Sequence, residues 1–217
     1  MKASNIVVLV TSTVALAACS GLFRSHESAP AVYELRAGPV AAAPERVAAT
    51  LLVARPRARP GLDTDHIAVT LPDLRLDAYA GSRWSAALPL LVETLLIEGL
   101  RSSGGWQAVV PERSQFGGKY LLQTEIREFE ADYAGGSGAP TIRVRLRGEL
   151  GLVGERRLVA SAEGSGTALA AADRQREVIA AFQAAYVAAA AQLVVAIDGA
   201  ALAAERPGDG TAKVPAT

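Results

Sequence analysis

The chain has 217 residues, half of them apolar and a fifth charged, which suits a domain with a hydrophobic core and excludes a disordered polyelectrolyte. Lys plus Arg and Asp plus Glu both number 22, so no net charge draws the chain to nucleic acid. One cysteine and two histidines leave no disulfide framework and no cluster with metal-ligand spacing.

The first predicted element is residues 1–18. Lys2 precedes the apolar run Ile6-Val7-Val8-Leu9-Val10, a small-residue segment follows, and the stretch closes on Leu16-Ala17-Ala18-Cys19-Ser20. A positive start, a short apolar core and small residues before a cut mark a secretory signal. The ending resembles the lipobox of bacterial lipoprotein signal peptides. There the thiol is alkylated with diacylglycerol, the preceding bond is cleaved, and the new amine is acylated. Cys19 is therefore the expected lipidation site, and two or more acyl chains give stable membrane attachment. A buried free cysteine would need a fold around it, and no turn or polar partner face is visible there. A spanning helix needs ~20 consecutive apolar residues, whereas Thr11, Ser12 and Thr13 interrupt a shorter run. Ser20 stands where an Asp would retain an enteric-type lipoprotein at the inner membrane, so the resemblance implies the outer membrane.

Residues 19–30 are small, polar and Pro-ended, the composition of a tether. The domain is expected over 31–199, and 200–217, with two Pro, two Gly and mixed charge from 204 onward, as a disordered tail. Tyr33 and Leu35 open a first short strand, and Thr50-Leu51-Leu52-Val53-Ala54 forms a better one. Pro56 and Pro60 argue against regular structure in residues 55–60, and Arg55, Arg57 and Arg59 read as a solvated extended linker. Ile67-Ala68-Val69 is a third strand. A helix begins between Ser85 and Pro89, carries the stripe Leu88, Leu91, Val92, Leu95 and Leu100, and ends at Gly104-Gly105. Trp106, Ala108 and Val110 form a strand closed by Pro111.

The clearest sheet signal follows. Ile142, Val144, Leu146, Leu150 and Leu152 alternate with Thr141, Arg143, Arg145, Arg147 and Glu149, so one face is buried and one is wet. Residues 120–130 place Leu122, Thr124 and Ile126 on one face and Gln123, Glu125 and Arg127 on the other. Glu125 is expected to pair with the arginine row across a hairpin. Gly154-Glu155 turns the chain into a third strand at 158–162, which completes an antiparallel meander. A long helix starts after Asp173, an expected N-cap, with Val178, Phe182, Tyr186 (or Ala185), Ala189, Leu193 and Ile197 along one stripe. Arg174, Arg176, Glu177, Gln183 and Gln192 keep the opposite side polar, so the stripe reads as core and not as a membrane span. Two helices need a sheet face to cover, and the fold class expected is α/β: one layered domain, a mixed sheet with a C-terminal antiparallel meander, and two principal helices.

No catalytic, cofactor or metal-binding set is visible. Asp63, Asp65 and His66 form a polar cluster better read as a turn than as a base. Gly117-Gly118-Lys119 lacks a P-loop's earlier glycine and following Ser or Thr, since Arg113 and Tyr120 hold those places. Gly164-Ser165-Gly166 is only superficially a nucleophile elbow. Trp84 and Trp106 read as packing residues, with partner stacking as the alternative.

Several ordered segments resemble the ABC-type transport auxiliary lipoprotein family (PqiC-like). They are Gly61-Leu62-Asp63-Thr64-Asp65-His66-Ile67-Ala68-Val69; Tyr79 with Arg83-Trp84, Leu88-Pro89 and Leu91; Ser103-Gly104 with Trp106 and Val109; and Tyr120-Leu121 through Phe129-Glu130. With the lipobox they cover about residues 16–199. The resemblance implies a non-enzymatic accessory lipoprotein of a lipid-transport system built on an MCE-type protein. Its expected partners are the MCE-domain protein of an inner-membrane ABC-type transporter and, through the anchor, outer-membrane lipid. An envelope-assembly adaptor and a periplasmic hydrolase are the competing readings.

Overall fold

The computed structural model describes residues 29–136 and 138–206. Cys19, the leader, most of the tether and residues 207–217 lie outside them. The division of the chain into units falls after Pro30.

Among the described residues, nine strands and two helices follow in order: β1 (Ala31–Tyr33), β2 (Val47–Val53), β3 (Arg57–Ala58), β4 (His66–Thr70), β5 (Leu76–Trp84), α1 (Leu88–Ser102), β6 (Trp106–Pro111), β7 (Tyr120–Asp132), β8 (Thr141–Leu152), β9 (Arg157–Leu169) and α2 (Gln175–Glu205). The α/β class and the mixed sheet are as expected. The sheet is organised on β7. One edge of this strand takes β2, β3 and β4 in succession, all parallel. Its other edge pairs antiparallel with β8 along its whole length, and β8 pairs in turn with β9. β6 extends β2, while β5 and then β1 extend β4.

The period-two pattern decides which face is covered. Ile142, Val144, Leu146 and Leu150 are buried under α2, as are Leu122, Ile126 and Phe129 beside them. The predicted stripe of α2 is buried throughout, and so is that of α1. By length and composition α2 could cross a membrane; in the domain its apolar stripe is spent on the sheet. Trp84 and Phe182 meet edge to face at 5.2 Å, and Phe129 stacks on Phe182 at 5.6 Å, geometries that add to simple area burial.

Glycine sets how closely α2 approaches β9. A Cβ on Gly166 would stand 2.8 Å from the Ala185 carbonyl carbon, and one on Gly164 would stand 3.0 Å from that of Ala189. The segment 164–166 is thus a packing surface for a helix backbone. Gln192 answers the open edge of β9: its amide accepts from the Ser165 N–H and donates to the Ser165 carbonyl at 2.9 Å. Gln183 does the same for both backbone groups of Arg36 at 2.9 Å. These glutamines serve as substitutes for a neighbouring strand on edges that lack one.

The structure corrects four expectations. Arg57 and Ala58, between the prolines, pair with Glu125 and Ile126, because the extended segment between Pro56 and Pro60 still offers three N–H groups, that of Arg59 donating to the Ile126 carbonyl. Asp173 is not the N-cap; Arg174 holds that position without a side-chain cap bond, and Asp173 accepts from the Tyr133 hydroxyl instead. The tail does not begin at 200. Helix α2 runs to Glu205, with Ala201 and Leu202 buried and Glu205 bonded to Lys119 and to the Tyr120 hydroxyl. Glu125 lies opposite Arg147 in register but forms its ion pair with Arg127, two residues along its own strand.

Candidate functional site

The residues singled out for chemistry do not converge. Cys19, the expected lipidation site, lies outside the described residues. Asp63 pairs with Arg55 at 3.8 Å, and Asp65 lies 3.6 Å from Arg83 and 4.0 Å from His66. The His66 side chain is mostly exposed, and the backbone N–H of His66 donates to the Thr64 hydroxyl, so the cluster is a turn. Trp84 and Trp106 are buried, which leaves no ring face for a partner. Lys119 lies 2.5 Å from Glu205, and Gly118 packs on Leu52. Among the described residues, no group of three or more His, Cys, Asp or Glu could hold a metal ion.

Buried ionisable groups tie elements together. Asp198 of α2 accepts from the Trp106 indole N–H at 2.7 Å, and burial pushes its carboxyl above the usual range while bonds from Ser103 and Trp106 oppose the rise. Glu93 of α1 is buried and pairs with Arg113 at 2.5 Å. Glu93 borders an open groove of about 440 Å3 together with Thr94, Glu98, Arg101 and Arg113, where its carboxylate is already paired with Arg113.

What remains is surface, in three parts. The face of the meander opposite the helices carries Arg127, Arg143 and Arg145 among Glu125, Glu128, Asp132 and Glu163. They pair at 2.8–3.9 Å and leave few free charges. At the end of the sheet where β8 turns into β9, a shallow groove of about 330 Å3 is lined by Leu121, Leu152, Val153 and Leu158 between Glu149 and Arg157. Val153 is 44% exposed and Leu158 58%, so this is an apolar surface rather than a core. At the opposite end a groove of about 410 Å3 lies between Leu71, Pro72, Tyr79 and Tyr133. There the Tyr133 hydroxyl donates to Asp173 at 2.6 Å. Burial first, and that bond second, hold its pKa far above the ordinary phenol value.

The sequence matches the family described as ABC-type transport auxiliary lipoprotein component over residues 33–197. The chain belongs to this family. Protein XCC0632 of Xanthomonas campestris, a DUF330 protein, is 26% identical, with 81% of this chain and 99% of that chain covered and a TM-score of 0.72. CT253 of Chlamydia trachomatis shares the fold at 11% identity, 72% and 99% coverage and a TM-score of 0.51. No curated protein matches the chain.

Membership makes the chain a lipoprotein component auxiliary to transport, in an envelope setting at a membrane. The motif residues now have physical roles. Trp84 and Phe129 build the aromatic core, Trp106 anchors Asp198, and Arg83 holds the turn through Asp65. Sequence reading missed the exposed leucines, because periodicity assigns every apolar residue to a core. For Leu74 the signal was there: an apolar residue between Asp73 and Arg75, in a turn where polar residues are expected.

Proposed function

We propose that this auxiliary lipoprotein is a non-enzymatic docking component, held by Cys19 at the periplasmic face of the outer membrane, for an MCE-type lipid-transport system whose permease and ATPase sit in the inner membrane. The observation that carries the reading is the family match over nearly the whole domain, directly behind a lipobox. The surface supports it. The grooves at the two ends of the sheet are shallow, open and lined largely by apolar residues, which suits contact with another protein. The Val153–Leu158 groove is the docking candidate. Leucine side chains at a contact centre contribute when water is excluded around them.

The test is capture. Purified, lipidated protein added to a detergent-solubilised envelope extract is expected to retain an MCE-domain protein. The variant Leu158→Asp, on an exposed site that tolerates polarity, is expected to fold normally and lose most of that capture. Recovery of assembly-machine proteins instead would favour the adaptor reading. Recovery of no MCE-domain protein in a sensitive assay would sink the proposal.

A further inference from the structure

The turn between β4 and β5, residues 71–75, presents Leu74 at 82% exposure. Its φ is 64°, in the left-handed region that side-chain-bearing residues rarely adopt. Water gives nothing back for holding a leucine there. Two further exposed leucines belong to the same end of the sheet. Strand register runs Leu76 to Thr70 to Asp132 to Thr141 to Leu169 in one row, and Leu169 is 71% exposed. Asp73 accepts from the Arg75 N–H and lies 3.9 Å from its guanidinium, so the turn carries no net charge.

The chain enters the domain from the direction of this end. β1 is parallel to β5, with Ala31 opposite Ser82, six residues from Leu76, and the chain upstream of Ala31 is directed toward the Leu76 end of β5. Cys19 precedes Ala31 by twelve residues. At ~3.5 Å per residue this tether reaches about 40 Å at most. The β4–β5 turn lies within easy reach along its direction of exit. To lay the β8–β9 end on the membrane, the tether would have to reverse and run roughly 25 Å back along the sheet at ~3.3 Å per residue.

We propose that the β4–β5 turn, with Leu74 at its tip and Leu76 and Leu169 behind it, sits in the headgroup region of the bilayer that holds acylated Cys19. The occupant of this surface is lipid, and the contact fixes which end of the domain faces away from the membrane. The inference rests on lipidation of Cys19. It adds an orientation that the tether, whose reach extends to either end, favours but does not fix by itself. Leucine insertion fits an uncharged turn. It also leaves the Val153–Leu158 groove at the far end, open to the periplasm.

Acylation consumes the chain's one cysteine, so Leu74→Cys in the lipidated protein introduces a unique free thiol. Labelled there with an environment-sensitive fluorophore, the protein is reconstituted on vesicles of phosphatidylethanolamine and phosphatidylglycerol. The label is expected to shift to the blue and to lose at least half its emission to lipids carrying a headgroup-level quencher. A label at Glu155→Cys, in the opposite turn, is expected to do neither. Flotation with vesicles but an unquenched label at 74 would overturn the orientation while leaving the anchor intact. Failure to float would overturn both. A blue shift at 74 that needs an added envelope protein would assign the tip to protein and overturn the lipid occupant.

Discussion

Substitution of Gly166 by alanine tests whether the close seat of α2 on β9 is a necessity of the fold. The added Cβ would press on helix backbone, 2.8 Å from the Ala185 carbonyl carbon and 3.0 Å from its Cα. Carbon atoms settle at about 3.5–4.0 Å, so the helix must withdraw by roughly 1 Å over at least a turn, and no flexible side chain can absorb the shift. Overpacking of this kind costs about 1–3 kcal/mol. The obstacle is backbone, and lifting α2 also loosens the buried contacts of Phe182 and Ala189, so the upper end, ~3 kcal/mol, is expected. For a domain of this size that is a fall of roughly 6–12 °C in melting temperature. Gly154→Ala is the matched control, because nothing lies within 4 Å of its added Cβ. Thermal melts by circular dichroism on signal-free protein carrying Cys19→Ser measure both. Gly166→Ala melting within a degree of its parent would refute the packing argument, and with it the reading of residues 164–166 as a helix seat.

Further expected outcomes follow from single residues. Cys19→Ser should leave a folded domain that fractionates as soluble periplasmic protein; retained membrane association, seen by flotation of cell envelopes, would show that the anchor was misread. Asp198→Ala leaves the Trp106 indole N–H buried without an acceptor and should cost about 1–3 kcal/mol in urea unfolding. Asp198→Asn keeps an oxygen acceptor and tests the raised carboxyl pKa separately. A folded-state pKa above the unfolded value favours the protonated acid, so its stability contribution is fully present below about 3.8 and is lost as pH rises through the raised folded value. Relative to the Asp198→Asn variant, the parent should therefore weaken as pH rises from about 3.5; parallel pH profiles would count against a buried, hard-to-ionise Asp198. Tyr186 has a buried hydroxyl with no partner among the described residues, and Tyr186→Phe should be neutral or stabilising by about 1 kcal/mol, measured by the same unfolding series.

The parts of the fold that were readable are those in which local pattern and tertiary environment agree. β8 is half buried along its whole length, so its alternation survives intact from Thr141 to Leu152. The α1 stripe and its Gly104 stop are equally local. β5 was invisible for the opposite reason. Its first half is exposed, Gly81 takes a left-handed φ of 65°, and the register with β4 slips between His66 and Ala68, so no period-two signal forms. β9 was read too short, because Gly164 and Gly166 look like punctuation until a helix backbone is placed over them. The end of α2 was misjudged because Glu205 is held by Lys119 and Tyr120, partners some 85 residues upstream that no window of sequence contains. The lipidation site is the reverse case: a short motif carries it entirely, and the folded domain adds only where the tether enters.

That entry point gives the long β7 strand a mechanical meaning. A strand of 13 residues spans about 43 Å at ~3.3 Å per residue. β7 is bonded on both edges, by β2, β3 and β4 on one side and by β8 on the other, and α2 lies along the covered face. A hinge within this span would have to break ladder hydrogen bonds and expose core, so the two ends of the sheet move as one body. If the Leu74 end rests on lipid, the Val153–Leu158 groove stands roughly 40 Å into the periplasm at a fixed height. The paired charges of the open face favour neither end, since Arg127, Arg143 and Arg145 are already answered by Glu125, Asp132, Glu128 and Glu163. Orientation then rests on the apolar tips and the tether. Moving the tether's attachment to the C-terminus, beyond Glu205, should therefore weaken capture of the transport partner even though every surface residue is unchanged. Undiminished capture from that inverted protein would show that height and direction do not matter, and that the rigid sheet serves packing alone.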